Sequence, residues 1–102
     1  MIIAVIGDYE SPKYQELLQC VKIYKPEEHV LDLSRHQSVN WKKMLDARFA
    51  DIETAHQVVI SNDWDNNIDT KRDITQAQFL HKETFIYRDG QFLPFPEYAH
   101  KL

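Results

Sequence analysis

The chain has one cysteine, Cys20, and two glycines, Gly7 and Gly90, among its 102 residues. A lone cysteine cannot close an intramolecular disulfide, and no set of Cys and His shows zinc-ligand spacing. With so little glycine there is no G-x-G-x-x-G or Walker loop to cradle a phosphate, which sets aside dinucleotide cofactors and ATP hydrolysis. Basic charge is short as well. Twelve Lys and Arg stand against 16 Asp and Glu, a net charge of -4, so no global basic field would hold nucleic acid. No apolar run approaches the roughly 20 residues of a membrane-spanning helix. Residues 1–6 are apolar but lack a basic leader and are shorter than a signal-peptide core. The five histidines, His29, His36, His56, His81 and His100, show neither H-x-x-H nor H-E-x-x-H spacing. The expectation is a cytoplasmic protein with no metal, no cofactor, no nucleic-acid partner and no membrane partner.

What is present fits a globular domain: 43% of residues are hydrophobic and 27% charged, and the length suits one domain spanning 1–102. The chain alternates strand and helix signals, the pattern of a parallel sheet covered by helices. Residues 2–6 form a continuous apolar run, as in a strand buried on both faces. Ser11 is an N-cap, Pro12 sits at the first helical position, and Tyr14, Leu17, Leu18 and Val21 recur at helical spacing until Pro26. Cys20 falls near that apolar face as a small buried hydrophobe. A short strand over 29–33 and a polar loop over 34–38 follow. Asn40 caps a second helix with Trp41, Met44, Leu45, Phe49 and Ile52 on one face. Residues 57–61 are a third strand, which empties into turn formers at 62–67. A third helix starts at Asp69 or Thr70 and runs to about His81, and 84–88 is a fourth strand. Asp89-Gly90 predicts a type I′ hairpin at the sheet edge, with Pro94 and Pro96 ending regular pairing. The fold class read from this order is α/β, a Rossmann-like three-layer sandwich of about four parallel strands with a C-terminal edge hairpin. Residues 91–102, rich in aromatics, form an arm packed on the body or on a partner subunit.

In such sheets ligands bind beyond the carboxyl ends of the strands, where the strand order reverses. That places Gly7, Asp8, Tyr9 and Glu10 after the first strand, Arg35 and His36 after the second, and residues 62–70 after the third near any ligand.

Laid out this way, the chain resembles the nucleoside 2-deoxyribosyltransferase superfamily over residues 1–88. That family has an early strand ending in Gly, a Trp-led helix, and Trp-x-x-Ser-x-Gly-Ala-x-x-Glu opening a later helix. Here Ile3-Ala-Val-Ile-Gly7 matches the strand, Trp41 leads the helix, and Val58-Val-Ile-Ser-Asn-Asp-Trp64 matches the third strand and its exit. Counting from Trp64, Asn67 falls at the family's Ser, Asp69 at its Gly, Thr70 at its Ala and Asp73 at its catalytic Glu. The resemblance implies a domain that binds a nucleoside or related N-glycoside and cleaves or transfers its glycosidic bond. A carboxylate suits that chemistry because it attacks the anomeric carbon and can leave again. It further implies Asp73 as nucleophile, Gly7, Asp8, Tyr9, Trp64, Asn67 and Asp69 as substrate-binding residues, and a homo-oligomer, most simply a dimer. Asp73 is one methylene shorter than the family Glu. The family's helix aspartate falls on Arg48 and a second one on His56, with Asp46 and Asp51 nearby. Asp69 adds negative charge beside the sugar site, so an uncharged nucleoside fits better than a 5′-phosphate.

Each of these residues also has a purely structural reading. Thr70-x-x-Asp73 has capping-box spacing, Asp69 could be an N-cap, and residues 63–67 could be a solvated turn. Trp64 could stack on a base, or pack over the sheet end or in a dimer contact. Asp8 and Tyr9 could meet the sugar or merely turn the chain into the Ser11 cap. Two other functions fit the same sequence: a non-catalytic nucleoside- or nucleotide-binding module, and an interaction protein that keeps the fold and uses the aromatic arm.

Overall fold

A computed structural model describes residues 1–36 and 39–95. The protein is α/β, with three α-helices among those residues and a five-stranded mixed sheet that is mostly parallel. The strands are β1 (Ile2–Ile6), β2 (His29–Asp32), β3 (Gln57–Ile60), β4 (Glu83–Arg88) and β5 (Gln91–Pro94), and the helices are α1 (Pro12–Tyr24), α2 (Trp41–Thr54) and α3 (Ile68–Phe79). Spatial order is β2-β1-β3-β4-β5, with only β5 antiparallel. The chain therefore leaves β1 in one direction for β2 and returns to the other side for β3. The switch point lies between β1 and β3.

Alternation along β1 sends successive side chains to opposite faces. Ile3 and Val5 join Tyr14, Leu17, Leu18 and Val21 of α1, whereas Ala4 and Ile6 join Ile52 of α2 and Ile74 and Ala77 of α3. Each face thus has its own apolar cluster. Tyr14 ties α1 to two strand ends, its hydroxyl donating to the Val5 carbonyl at 2.9 Å and accepting from the Leu33 N–H at 3.0 Å. Gly7 lets β1 and β3 converge at the switch point: a Cβ there would sit 2.9 Å from the Ser61 Cβ and 3.1 Å from Tyr14 Cδ1.

The local signals hold at the start of α1, at the start of α2 and at the hairpin. Ser11 accepts from the Lys13 N–H, and Asn40 caps α2 by accepting from the Lys43 N–H. Asp89 and Gly90 have φ of 52° and 79° between the paired Arg88 and Gln91, as a type I′ turn requires. Four expectations are corrected. The segment after β2 opens with a single 3₁₀ turn, Leu33–His36, because Asp32 Oδ1 accepts from the Ser34 N–H and hydroxyl and curls the chain. Helix α3 begins at Ile68, with Asn67 as its cap, not at Asp69 or Thr70. It stops at Phe79, where His81 takes φ 56° and the Lys82 N–H reaches back to the Ala77 carbonyl, a Schellman closure. On α2 the buried residues are Arg48 and Ile52, while Trp41 is exposed and stacks against the Arg72 guanidinium. The arm beyond Phe95, Pro96 included, and residues 37 and 38 of the predicted loop lie outside the described residues. No helix among the described residues is long and apolar enough to cross a membrane.

Candidate functional site

Three segments converge on one carboxylate at the carboxyl end of the sheet. Helix α3 turns Thr70, Asp73, Ile74 and Ala77 inward, so Asp73 lies in an otherwise buried stripe with 0% exposure. Helix α2 sends Arg48 across to it, and Arg48 Nε donates to Asp73 Oδ2 at 2.9 Å. The loop after β1 supplies Tyr9, whose hydroxyl donates to the same oxygen at 2.5 Å. The Tyr9 ring is fixed edge-on by Tyr14, 5.0 Å away, and is covered by the Arg48 guanidinium at 5.1 Å. Asp73 is therefore not a capping residue. The α3 cap is Asn67, whose Oδ1 accepts from the Asp69 and Thr70 N–H groups at 2.8 and 3.2 Å.

The second carboxylate oxygen, Asp73 Oδ1, is buried without a hydrogen-bond partner, as is Thr70 Oγ1. Burial raises the Asp73 pKa from 3.8 to about 6, against the opposing pull of the Tyr9 hydrogen bond and the Arg48 charge. Desolvation wins over the ion pair. Burial also raises the Tyr9 phenol well above its usual value near 10, with the Asp73 charge adding to the effect. Tyr9 is thus a fixed proton donor. Asp73 can exchange a proton close to neutral pH, which suits acid–base or nucleophilic work.

A cleft of about 110 Å³ opens beside this group, lined by Asp8, Tyr9, Glu10, Met44, Arg48, Asn67 and Asp69. It lies against the first and third loops, at the switch point where an open α/β sheet binds ligands. Of the seven residues singled out by sequence, Asp8, Tyr9, Asn67 and Asp69 reach the wall, and Asp73 stands behind Tyr9 and Arg48. Gly7 is buried beneath, shaping the strand ends without lining the cleft. Trp64 is elsewhere. It begins a 3₁₀ turn, packs on the core under α2 and α3, and meets the Phe95 ring edge-on at 5.2 Å. The neighbouring acids are also committed: Asp46 pairs with Lys42 at 3.0 Å, and Asp51 with Arg35 at 2.9 Å and His36 at 2.7 Å. His56 accepts from the Ile2 N–H, at the amino end of the sheet.

A larger groove of about 300 Å³ lies toward α1, between Leu17, half-buried Cys20 and Tyr87. Its charged walls, Lys13, Glu16 and Asp63, are not deeply buried, unlike Asp73 and Arg48. Among the described residues no three His, Cys, Asp or Glu side chains are grouped to hold a metal ion. Compared with protein-family models, curated proteins and solved structures, the chain gives no significant match.

Arg48 is the site residue that sequence reasoning misplaced. It follows Met44 and precedes Ile52 by four residues each, so it falls inside the apolar stripe of α2, where a charge signals a buried partner.

Proposed function

We propose that this protein is a Rossmann-like nucleoside-binding domain of the 2-deoxyribosyltransferase kind, and that Asp73 acts on the glycosidic bond of a nucleoside or related N-glycoside. One observation carries the reading. Tyr9, beyond the end of β1, and Asp73, at the position of the family's catalytic Glu, lie 64 residues apart and meet in a hydrogen bond at the switch point. A carboxylate kept only for structure is expected to have both oxygens satisfied when buried; Asp73 Oδ1 is not. In the reaction Oδ1 would bond to the anomeric carbon as the C–N bond breaks, its electron pair leaving with the base. Water or a second base then displaces the carboxylate, with net retention. Arg48 and Tyr9 hold the charge on Oδ2 and aim Oδ1. Asp73 is fully covered, so substrate reaches Oδ1 only when side chains between it and the cleft move, while the Tyr9 and Arg48 hydrogen bonds to Oδ2 stay in place. The wall carboxylates Asp8, Glu10 and Asp69 would repel a 5′-phosphate, which favours an uncharged nucleoside.

A second reading, nucleoside binding without turnover, is favoured by the ion pair itself, since Arg48 draws negative charge from the nucleophile. A nucleoside panel read for thermal stabilisation and for free-base release separates the two. Catalysis predicts both signals, with base release lost in Asp73→Ala; stabilisation without release supports the binding module. Base release undiminished in Asp73→Ala removes Asp73 from the mechanism, and no stabilisation by any nucleoside overturns both readings.

A further inference from the structure

The cleft wall also bears on which base a nucleoside would carry, an inference that rests on the reading just given. At about 110 Å³ the cleft is well below the roughly 300 Å³ of a site that engulfs a drug-sized ligand. It takes one ring system and leaves the rest of a ligand outside. Among the described residues the one cation on its wall is Arg48, which is 2% exposed. Its Nε donates to Asp73 Oδ2 at 2.9 Å and its guanidinium lies 5.1 Å from the centre of the Tyr9 ring, so the fork is held in one orientation. Neither terminal nitrogen makes a hydrogen bond among the described residues, and neither is sealed from solvent as Asp73 Oδ1 and Thr70 Oγ1 are. The small exposed part of Arg48 is therefore a pair of donors at the cleft wall.

Carboxylates, phosphates and the O6–N7 edge of guanine all offer paired acceptors to such a fork. The first two bring negative charge against Asp8, Glu10 and Asp69 on the same wall, and like charges repel. The guanine edge is neutral. The wall acids then ask for donors. Asp8 Oδ1 already accepts from the Glu10 N–H, and Asp69 Oδ1 pairs with Arg72, whereas the Glu10 carboxylate has no partner among the described residues and keeps both oxygens open. Of the common bases, guanine has both a paired-acceptor edge, O6 and N7, and a paired-donor edge, N1–H and the 2-amino group. Adenine sets its amino donor beside N7, against the fork, and cytosine carries a single donor group.

We propose that the cleft takes the base of a nucleoside and selects guanine, with the Arg48 terminal nitrogens donating to O6 and N7 and the Glu10 carboxylate accepting from N1–H and the 2-amino group. The test is calorimetric titration of the full chain with 2′-deoxyguanosine, 2′-deoxyadenosine, 2′-deoxycytidine and two guanine analogues. The analogues are 7-deaza-2′-deoxyguanosine, which lacks the N7 acceptor, and 2′-deoxyinosine, which lacks the 2-amino donor. Deoxyguanosine is expected to bind about tenfold tighter than each analogue, the effect of one charged hydrogen bond. Against the other two bases the preference should be on the order of 100-fold, since neither matches both ends. In Glu10→Ala the preference over deoxyinosine should fall to near one while that over the 7-deaza form stays. In Arg48→Lys, which keeps the charge without the fork, the preference over the 7-deaza form should fall instead. Circular dichroism checks the fold of both variants, and the analogue series in the natural chain decides base selection even where Arg48→Lys does not fold. If another base or the 7-deaza form binds as tightly as deoxyguanosine, or if the preference over deoxyinosine survives in Glu10→Ala, guanine selection by this wall is wrong while the nucleoside reading stands. If no nucleoside binds, the nucleoside reading falls and this inference with it.

Discussion

Replacing Asp73 by Asn tests whether burial or the Arg48 ion pair governs this carboxylate. Burial raises its pKa from 3.8 to about 6 in the native state. Between those two pH values the native protein holds a proton that the unfolded chain has released, so stability falls as pH rises. The contribution is fully present well below the unfolded pKa of 3.8 and is lost as pH rises through about 6. At about 1.4 kcal/mol for each pH unit, it amounts to roughly 3 kcal/mol. That is a large part of the ~5–15 kcal/mol that holds a typical domain together. Asp73→Asn keeps the shape and cannot ionise. Leaving Arg48 without its charged partner adds a penalty, but a pH-independent one, because a guanidinium stays charged throughout. Urea unfolding of both proteins from pH 4 to pH 8 gives the difference in stability, in which all other titrating groups cancel. The natural protein should lose roughly 2.4 kcal/mol of this contribution relative to Asp73→Asn on going from pH 4 to pH 7, the rest being lost already below pH 4. A relative gain over that range would mean that Arg48 depresses the native pKa, and the argument from desolvation would be refuted.

The Tyr9 hydroxyl lowers the Asp73 pKa through its hydrogen bond, so Tyr9→Phe should push it further above about 6. Carbon-13 NMR titration of the Asp73 carboxyl reads this directly, and a downward movement would show that the phenol is not its partner. Gly7→Ala should destabilise by about 2 kcal/mol through overpacking, because the new methyl would stand 2.9 Å from the Ser61 Cβ, next to backbone. Unchanged urea unfolding would show that β1 and β3 can separate at the switch point without cost.

The order of elements was legible because each helix and strand carried its own local signal. Ser11 before Pro12, Asn40 before Trp41 and Asp89-Gly90 all act through backbone chemistry within a few residues, and all three appear as expected. The misreadings fall where several residues compete for one local role or where an element's end lies off the core. Asn67, Asp69 and Thr70 can each cap a helix, and Asn67 prevails because its Oδ1 reaches two N–H groups at once. Trp41 fits the α2 stripe by spacing, but it lies in the first turn, beyond the edge of the sheet's apolar cover, and stays exposed. At the site, Tyr9 and Asp73 could be nominated singly from loop position and motif spacing. Their contact spans 64 residues, and no local pattern encodes it.

The other contact of the cluster, Arg48 with Asp73, does carry a sequence signal, in two helices at once. Arg48 interrupts the apolar stripe of α2 and Asp73 that of α3, and opposite charges in facing stripes have to meet, since neither can be buried alone. A pair of apolar side chains would fill the same volume without the desolvation cost that lifts the Asp73 pKa. Packing therefore does not explain the choice of residues. The Tyr9 hydroxyl sharpens the point: it places a second donor on Oδ2, which already has Arg48, while Oδ1 has none. A network built for stability would divide its donors between the two oxygens. Donors gathered on one oxygen leave the other buried without a partner, the asymmetry that the proposed attack through Oδ1 would use.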